Sequence, residues 1–115
     1  MTTDLFCSVK LRIEGKKAEE PHAFGPGTAR LLEGVSRLSS LNKAAKEMEM
    51  AYSKAWKLIR AAEADLGFDL IERKARDGSA ITENGKKLLV LYHQVQQAAQ
   101  EAAAEALKNS DIKFD

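Results

Sequence analysis

A single cysteine, Cys7, excludes an internal disulfide, and a chain without one suits a reducing cytosol. Two prolines and seven glycines in 115 residues, with 44% hydrophobic and 30% charged side chains, are the composition of a globular and not a disordered chain. They fit one domain with a modest core. No apolar run approaches the roughly 20 residues that would span a bilayer. The opening MTTDLFCSVK has no secretory pattern, so no membrane partner is expected. An excess of one charge sign is missing too: 18 basic residues against 17 acidic leave +1. Bulk charge alone therefore does not point to nucleic acid.

Chemistry-bearing motifs are absent as well. There is no G-x-x-x-x-G-K-[ST] phosphate loop and no G-x-S-x-G elbow. His22, His93 and Cys7 are scattered over three elements without the close pairing of a metal site. The acidic residues sit at helical intervals beside Lys and Arg, which marks exposed faces. An enzyme is not expected, and Cys7 reads as a small buried hydrophobe.

What is present is a succession of short elements. Residues 8–14, SVKLRIE, alternate strictly, with Val9, Leu11 and Ile13 on one side, so a half-buried strand is expected. A turn at Gly15-Lys16-Lys17 and a short return at Ala23-Phe24 would pair back onto it, and Gly25-Pro26-Gly27 ends this β element. Thr28 is the expected N-cap of a first helix running to Leu38, with Leu31, Leu32, Val35 and Leu38 at helical spacing. Ser39-Ser40 breaks it, and Asn42 is the expected cap of a second helix, Lys43 to Met48. A third helix starts near Ala51 or Tyr52 and ends at Leu66, with Gly67 closing it. Phe68–Arg73 reads as a strand, Lys74–Ser79 as a loop and Ala80–Thr82 as the returning strand. Thr82 then caps a helix from Glu83 to Lys108, with 109–115 a frayed tail.

Two short helices, a tight turn, a strand and a basic loop follow the order of a winged helix-turn-helix, whose second helix enters the DNA major groove. The fold class expected is mainly α with small β elements. It comprises an N-terminal β element over 1–27, the winged helix-turn-helix over 28–82 with its third helix at 52–66 and its wing at 68–82, and a long helix over 83–108. Between Lys43 and Arg60 five basic residues (Lys43, Lys46, Lys54, Lys57, Arg60) face two acidic ones (Glu47, Glu49), and Arg73-Lys74-Ala75-Arg76-Asp77 adds three basics against one acid. On the third helix Ala55, Ile59, Ala62 and Leu66 fall on one face, while Ser53, Lys57 and Arg60 fall opposite. An apolar stripe holds such a helix on its domain while Lys and Arg reach phosphates or guanine edges.

With these segments laid out, the chain resembles the DNA-binding domain of ModE-type molybdate-responsive regulators, relatives of the LysR-type winged helices. The matching motifs are FGPG at Phe24–Gly27, SLNKAAKEM at Ser40–Met48, YSKAWKLIR at Tyr52–Arg60, LGFDLIER at Leu66–Arg73 and ITENG at Ile81–Gly85. The resemblance implies a homodimer formed through the last helix, and DNA contacts from the third helix and the wing. Three departures stand out. The family wing is usually longer and richer in glycine than KARDGS. Glu49 stands where a turn glycine is common, at a cost of about 1 kcal/mol if that residue is left-handed. Ala51 stands where a Ser cap is usual, worth ~1 kcal/mol. Family members also carry C-terminal molybdate-binding modules. This chain stops at Asp115, so neither molybdate nor another cofactor is expected of it.

The expected DNA contacts are Tyr52, Ser53, Lys54, Lys57 and Arg60 on the third helix, Lys43 on the second, and Arg73, Lys74 and Arg76 on the wing. Lys54, Lys57 and Arg60 have the alternative of being a merely solvated face, and Ser53 that of supporting the helix start. Trp56 is expected to pack against neighbouring elements. The expected dimer surface is Leu88, Leu91, Tyr92, Val95, Ala99, Ala102 and Ala106, whose alanines suit a closely approaching partner helix. Two readings follow. One is a cytoplasmic, nucleoid-associated homodimeric transcriptional regulator that binds an inverted repeat in double-stranded DNA, with any effector sensed by a separate protein. The other is a winged helix reused for protein–protein contact.

Overall fold

Proline at the first helical position needs no N–H partner there and has its φ already set for a helix. Helix α1 accordingly begins at Pro26 and runs Pro26–Leu38, with Gly25 as N-cap. Thr28, the expected cap, is instead buried inside the first turn. The computed structural model describes residues 4–15, 24–76 and 78–114, so Lys16, Lys17, His22 and Ala23 lie outside the described residues. Ser39 closes α1 in the left-handed region (φ 56°) and donates its N–H to Val35. Helix α2 spans Leu41–Glu47, one to two residues earlier than expected. Ser40, not Asn42, is its cap, with Oγ accepting from the Lys43 N–H at 3.1 Å. Leu41 is fully buried, which draws the chain into the helix ahead of Asn42.

Helices α1 and α2 approach closely because position 34 has no side chain: a Cβ at Gly34 would lie 2.6 Å from the Cβ of Ala44. At the rim of this contact Arg37 grips Glu47 with both terminal nitrogens, at 3.0 and 2.7 Å. That hydrogen bonding holds the Glu47 carboxyl below the usual carboxylate range and raises the Arg37 guanidinium. The pair is exposed, so its energetic weight is small.

The turn into helix α3 (Tyr52–Leu66) closes with Glu49 and Met50 donating their N–H groups to Lys46 and Ala45. Glu49 is left-handed, with φ 54°, and Ala51 occupies the N-cap without any side-chain bond. Both departures from the resembling family thus sit where they carry a local penalty. Glu49→Gly should stabilise the chain by about 1 kcal/mol, raising the thermal midpoint by roughly 4–8 °C for a domain of this size. Thermal unfolding followed by circular dichroism checks this; an unchanged midpoint would show that Glu is not strained there. Ala55, Ile59 and Ala62 are buried as the helical pattern requires, Leu66 is half-buried, and Gly67 ends the helix at φ 85°.

The wing is a two-stranded antiparallel hairpin of β1 (Ile71–Arg73) and β2 (Ser79–Ile81), with Ile71 opposite Ile81 and Arg73 opposite Ser79. The strand expected from Phe68 thus starts three residues late, because the N–H groups of Leu70 and Ile71 go to the carboxylate of Glu63. The returning strand starts one residue early, at Ser79, whose N–H bonds the carbonyl of Ser39 and ties the wing to the end of α1. Thr82 caps helix α4 (Glu83–Lys108), accepting from the Gly85 N–H at 3.0 Å.

Among the described residues the expected N-terminal hairpin is represented by a bridge of Ile13 with Phe24, joined by backbone bonds of 3.0 and 2.9 Å. The alternation of residues 7–14 is real: Cys7, Val9, Leu11 and Ile13 are half-buried and Ser8, Lys10, Arg12 and Glu14 exposed. It is satisfied by a helix, however, and not by a sheet. Gln100 donates to the Cys7 carbonyl (2.6 Å) and accepts from the Val9 N–H (2.9 Å). Gln96 donates to the Val9 carbonyl and the Tyr92 hydroxyl to that of Leu11. The core beneath unites Phe24, Leu31, Leu32, Val35, Leu41, Ile59 and Leu70. Tyr92 meets Phe24 edge to face at 5.3 Å, and burial raises its phenol. The described residues extend 60 × 31 × 23 Å, the long axis reflecting α4, which at 1.5 Å per residue is about 39 Å long and outreaches the domain.

Candidate nucleic-acid interface

Helix α3 presents Tyr52, Ser53, Lys54, Lys57 and Arg60 to solvent, held by the buried Ala55–Ile59–Ala62 stripe behind them. Lys43 is exposed on α2, and Arg73, Lys74 and Arg76 are exposed on the wing. Arg76 takes a left-handed conformation (φ 58°) that lets the short loop close, with the Lys74 N–H donating to the Gly78 carbonyl at 2.8 Å. Lys43, Lys54 and Lys57 form no ion pair with another described residue, whereas Lys74 meets Glu72 at 3.1 Å on the open surface.

Three of the expected contacts are drawn together by aromatic chemistry. The guanidinium carbons of Arg60 and Arg73 lie 4.6 and 4.7 Å from the centre of the Trp56 ring, and Tyr52 meets that ring edge-on at 6.2 Å. A guanidinium at this distance from an indole gains about 0.5–1 kcal/mol at exposed sites. The indole N–H meets no acceptor among the described residues, so stacking rather than a hydrogen bond orients the ring. Trp56 therefore packs, as expected, but between the helix and the wing.

Glu63 is the residue that the sequence pattern does not single out. Its side chain is only 6% exposed, yet it carries a carboxylate. One oxygen accepts from Leu70 N–H at 2.7 Å and Ile71 N–H at 3.3 Å, and the other meets Nη1 of Arg60 at 2.8 Å. A buried carboxylate needs this full set of partners. The only signal in the sequence is the three-residue spacing from Arg60, which ordinary surface pairs share.

The residues expected at a dimer surface divide. Leu88 and Tyr92 are buried in the chain's own core. Leu91 and Val95 remain 47% and 40% exposed, Ala102 and Ala106 are exposed, and Ala99 is half-buried. Beyond them, Leu5, Phe6, Leu107, Ile112 and Phe114 line a groove of about 990 Å³ where the two ends of the chain meet α4. Among the described residues no group of three His, Cys, Asp or Glu side chains could hold a metal ion, and no helix is long and apolar enough to cross a membrane.

The chain is 29% identical over 103 residues to the transcriptional regulator ModE of Haemophilus influenzae, an alignment covering 86% of this chain and 40% of that protein. The chain thus corresponds to less than half the length of this curated relative. Among solved structures, the CbnR DNA-binding domain in complex with DNA is similar at a TM-score of 0.58 and 22% identity, covering 70% of this chain and 92% of that one. The BenM DNA-binding domain in complex with catB site 1 DNA is similar at 0.55 and 20% identity, covering 76% and 96%. These likenesses bear out the winged-helix fold. The family described as bacterial regulatory helix-turn-helix protein, lysR family, matches residues 28–86, from the first turn of α1 through the wing to the start of α4. The chain belongs to the lysR family of bacterial regulatory helix-turn-helix proteins.

Proposed function

We propose that the chain is a transcriptional regulator that binds double-stranded DNA as a homodimer, with α3 in the major groove and the wing on the backbone. The observation that carries this reading is the solvent face of α3. Lys54 and Lys57 stand there with no acidic partner among the described residues, flanked by Ser53 and by Lys43 of α2. Tyr52 is the only large hydrophobic residue strongly exposed on that helix among the described residues. A protein-docking helix would show an apolar patch; this one offers cations and hydroxyls, which suit phosphates and base edges. The DNA-bound CbnR and BenM domains, similar in fold, support DNA as the partner. The family is one of regulators rather than of enzymes, and the reading requires no cofactor.

Dimerisation is inferred from α4. The helix projects past the domain with Val90, Leu91 and Val95 exposed, followed by Ala99, Ala102 and Ala106. Two copies joined there would present their α3 helices to successive major grooves, about 34 Å apart or a multiple of it. Any effector would act through a pocket at the dimer interface or through a separate protein. The regulator would work in the cytoplasm, on the nucleoid.

Enrichment of bound duplexes from a random pool tests the reading, and a palindromic site whose affinity falls steeply with salt is the expected outcome. Lys57→Ala should weaken binding to every sequence and flatten the plot of log affinity against log salt by about 0.9 per subunit, one phosphate contact. An unaltered slope would remove α3 from the DNA backbone.

A further inference from the structure

Arg60 belongs by its position to the cations of the DNA-facing helix, and although its side chain is 54% exposed, one of its terminal nitrogens is already held by a carboxylate. Nη1 lies 2.8 Å from Oε1 of Glu63, and its guanidinium carbon lies 4.6 Å from the Trp56 ring centre. Oε2 of the same carboxylate anchors the first residues of the wing through the N–H groups of Leu70 and Ile71. Were Arg60 to swing out to a phosphate, Oε1 would be left with its charge in a nearly closed site. Buried carboxylates resist losing a partner far more than exposed ones do.

We propose that Glu63 is a positioning residue for DNA binding, which holds Arg60 off the phosphate backbone while fixing the wing to α3. The inference rests on the reading of α3 as the DNA-facing helix. A cation free to reach phosphates adds affinity for every sequence alike and carries no sequence information. By keeping Arg60 on the protein, Glu63 lowers binding to arbitrary DNA and leaves the backbone contacts of this helix to Lys54 and Lys57. The same carboxylate thus links two matters that are separate in the sequence, the angle of the wing and the number of charges the helix offers.

Glu63→Gln keeps one side-chain oxygen for the Leu70 and Ile71 N–H groups and turns an amide toward Arg60, removing the charge that retains it. Binding to a short duplex of arbitrary sequence, measured across salt concentration, should steepen by about 0.9 per subunit, the contribution of one more phosphate contact. The same substitution made together with Arg60→Ala should add nothing beyond Arg60→Ala alone. Steepening in both backgrounds, or in neither, overturns the proposal, since it would show a general charge effect or no release of Arg60. If Glu63→Gln fails to fold by circular dichroism, the unsubstituted chain answers instead. The side-chain Nε–H resonance of Arg60 should keep its shift when the duplex is added, and a shift toward a phosphate-bound position overturns the proposal. Failure of the unsubstituted chain to bind any duplex at low salt would remove the DNA reading itself, whereas binding without the Arg60-dependent increment removes only the role of Glu63.

Discussion

Phe24→Ala should lower the unfolding free energy by about 3–5 kcal/mol, the range for deleting a buried aromatic side chain. Phe24 is fully buried, touches the Tyr92 ring edge to face at 5.3 Å, and carries the two backbone bonds to Ile13. It is the point where the N-terminal segment, the start of α1 and the first half of α4 share one side chain. Small domains have only about 5–15 kcal/mol in hand, so much of the total would go. With a urea dependence of about 1–3 kcal/mol per molar, the midpoint should fall by about 1 M or more. Phe24→Leu, which keeps most of the volume, should lose far less. A loss below about 1 kcal/mol for the alanine variant would mean that the core closes over the gap and that Phe24 is not its hinge.

Gly34→Val is the second large effect, and it acts on the helix-turn-helix itself. The first added carbon would meet the Ala44 Cβ at 2.6 Å and its Cα at 3.3 Å, and both lie on a helix that cannot yield by rotating a side chain. Overpacking of this kind destabilises by about 1–3 kcal/mol, and the β-branch places valine toward the upper end. Because α2 carries Lys43 and packs on α3, displacement of α2 should weaken DNA binding as well. Adding Ala44→Gly removes the opposing methyl. If the clash is the cause, the double variant should recover part of the stability, although a glycine inside α2 itself costs about 1 kcal/mol. The two substitutions measured singly and together form a cycle. Strict additivity would show that the helices do not meet at these residues, since contacting pairs couple by about 0.5–3 kcal/mol.

The long, strongly patterned parts of the chain are legible in the amino-acid sequence. Helix α4 has the expected bounds because Thr82 caps it directly ahead of the apolar spacing, and α3 ends where Gly67 can turn left-handed cheaply. The caps of α1 and α2 are not legible in this way, because Thr28, Ser39, Ser40 and Asn42 are all competent caps. Burial of Thr28 and Leu41, a tertiary matter, chooses among them. The expected strand at 8–14 fails for a different reason. Period-two alternation reports which face is buried but not what covers it, and here the cover is α4. At the candidate site, the exposure of Lys54 and Lys57 follows from helical spacing. The engagement of Arg60 does not, because it needs Leu70 and Ile71 to return over α3 and bury Glu63.

The glutamine side chains that hold residues 7–9 bear on how copies of this chain meet each other. An extended segment on a protein surface is a template onto which a second chain can add, and long unprotected ones lead to aggregates. Here Gln96 and Gln100 occupy the carbonyls of Cys7 and Val9 and the N–H of Val9, so the inner side of that template is closed by amides that cannot propagate a sheet. Lys10 and Arg12 stand exposed along the same segment, and charge at such positions repels an identical strand brought alongside. The segment keeps the alternation of a β-strand while offering little of a strand's capacity to recruit another.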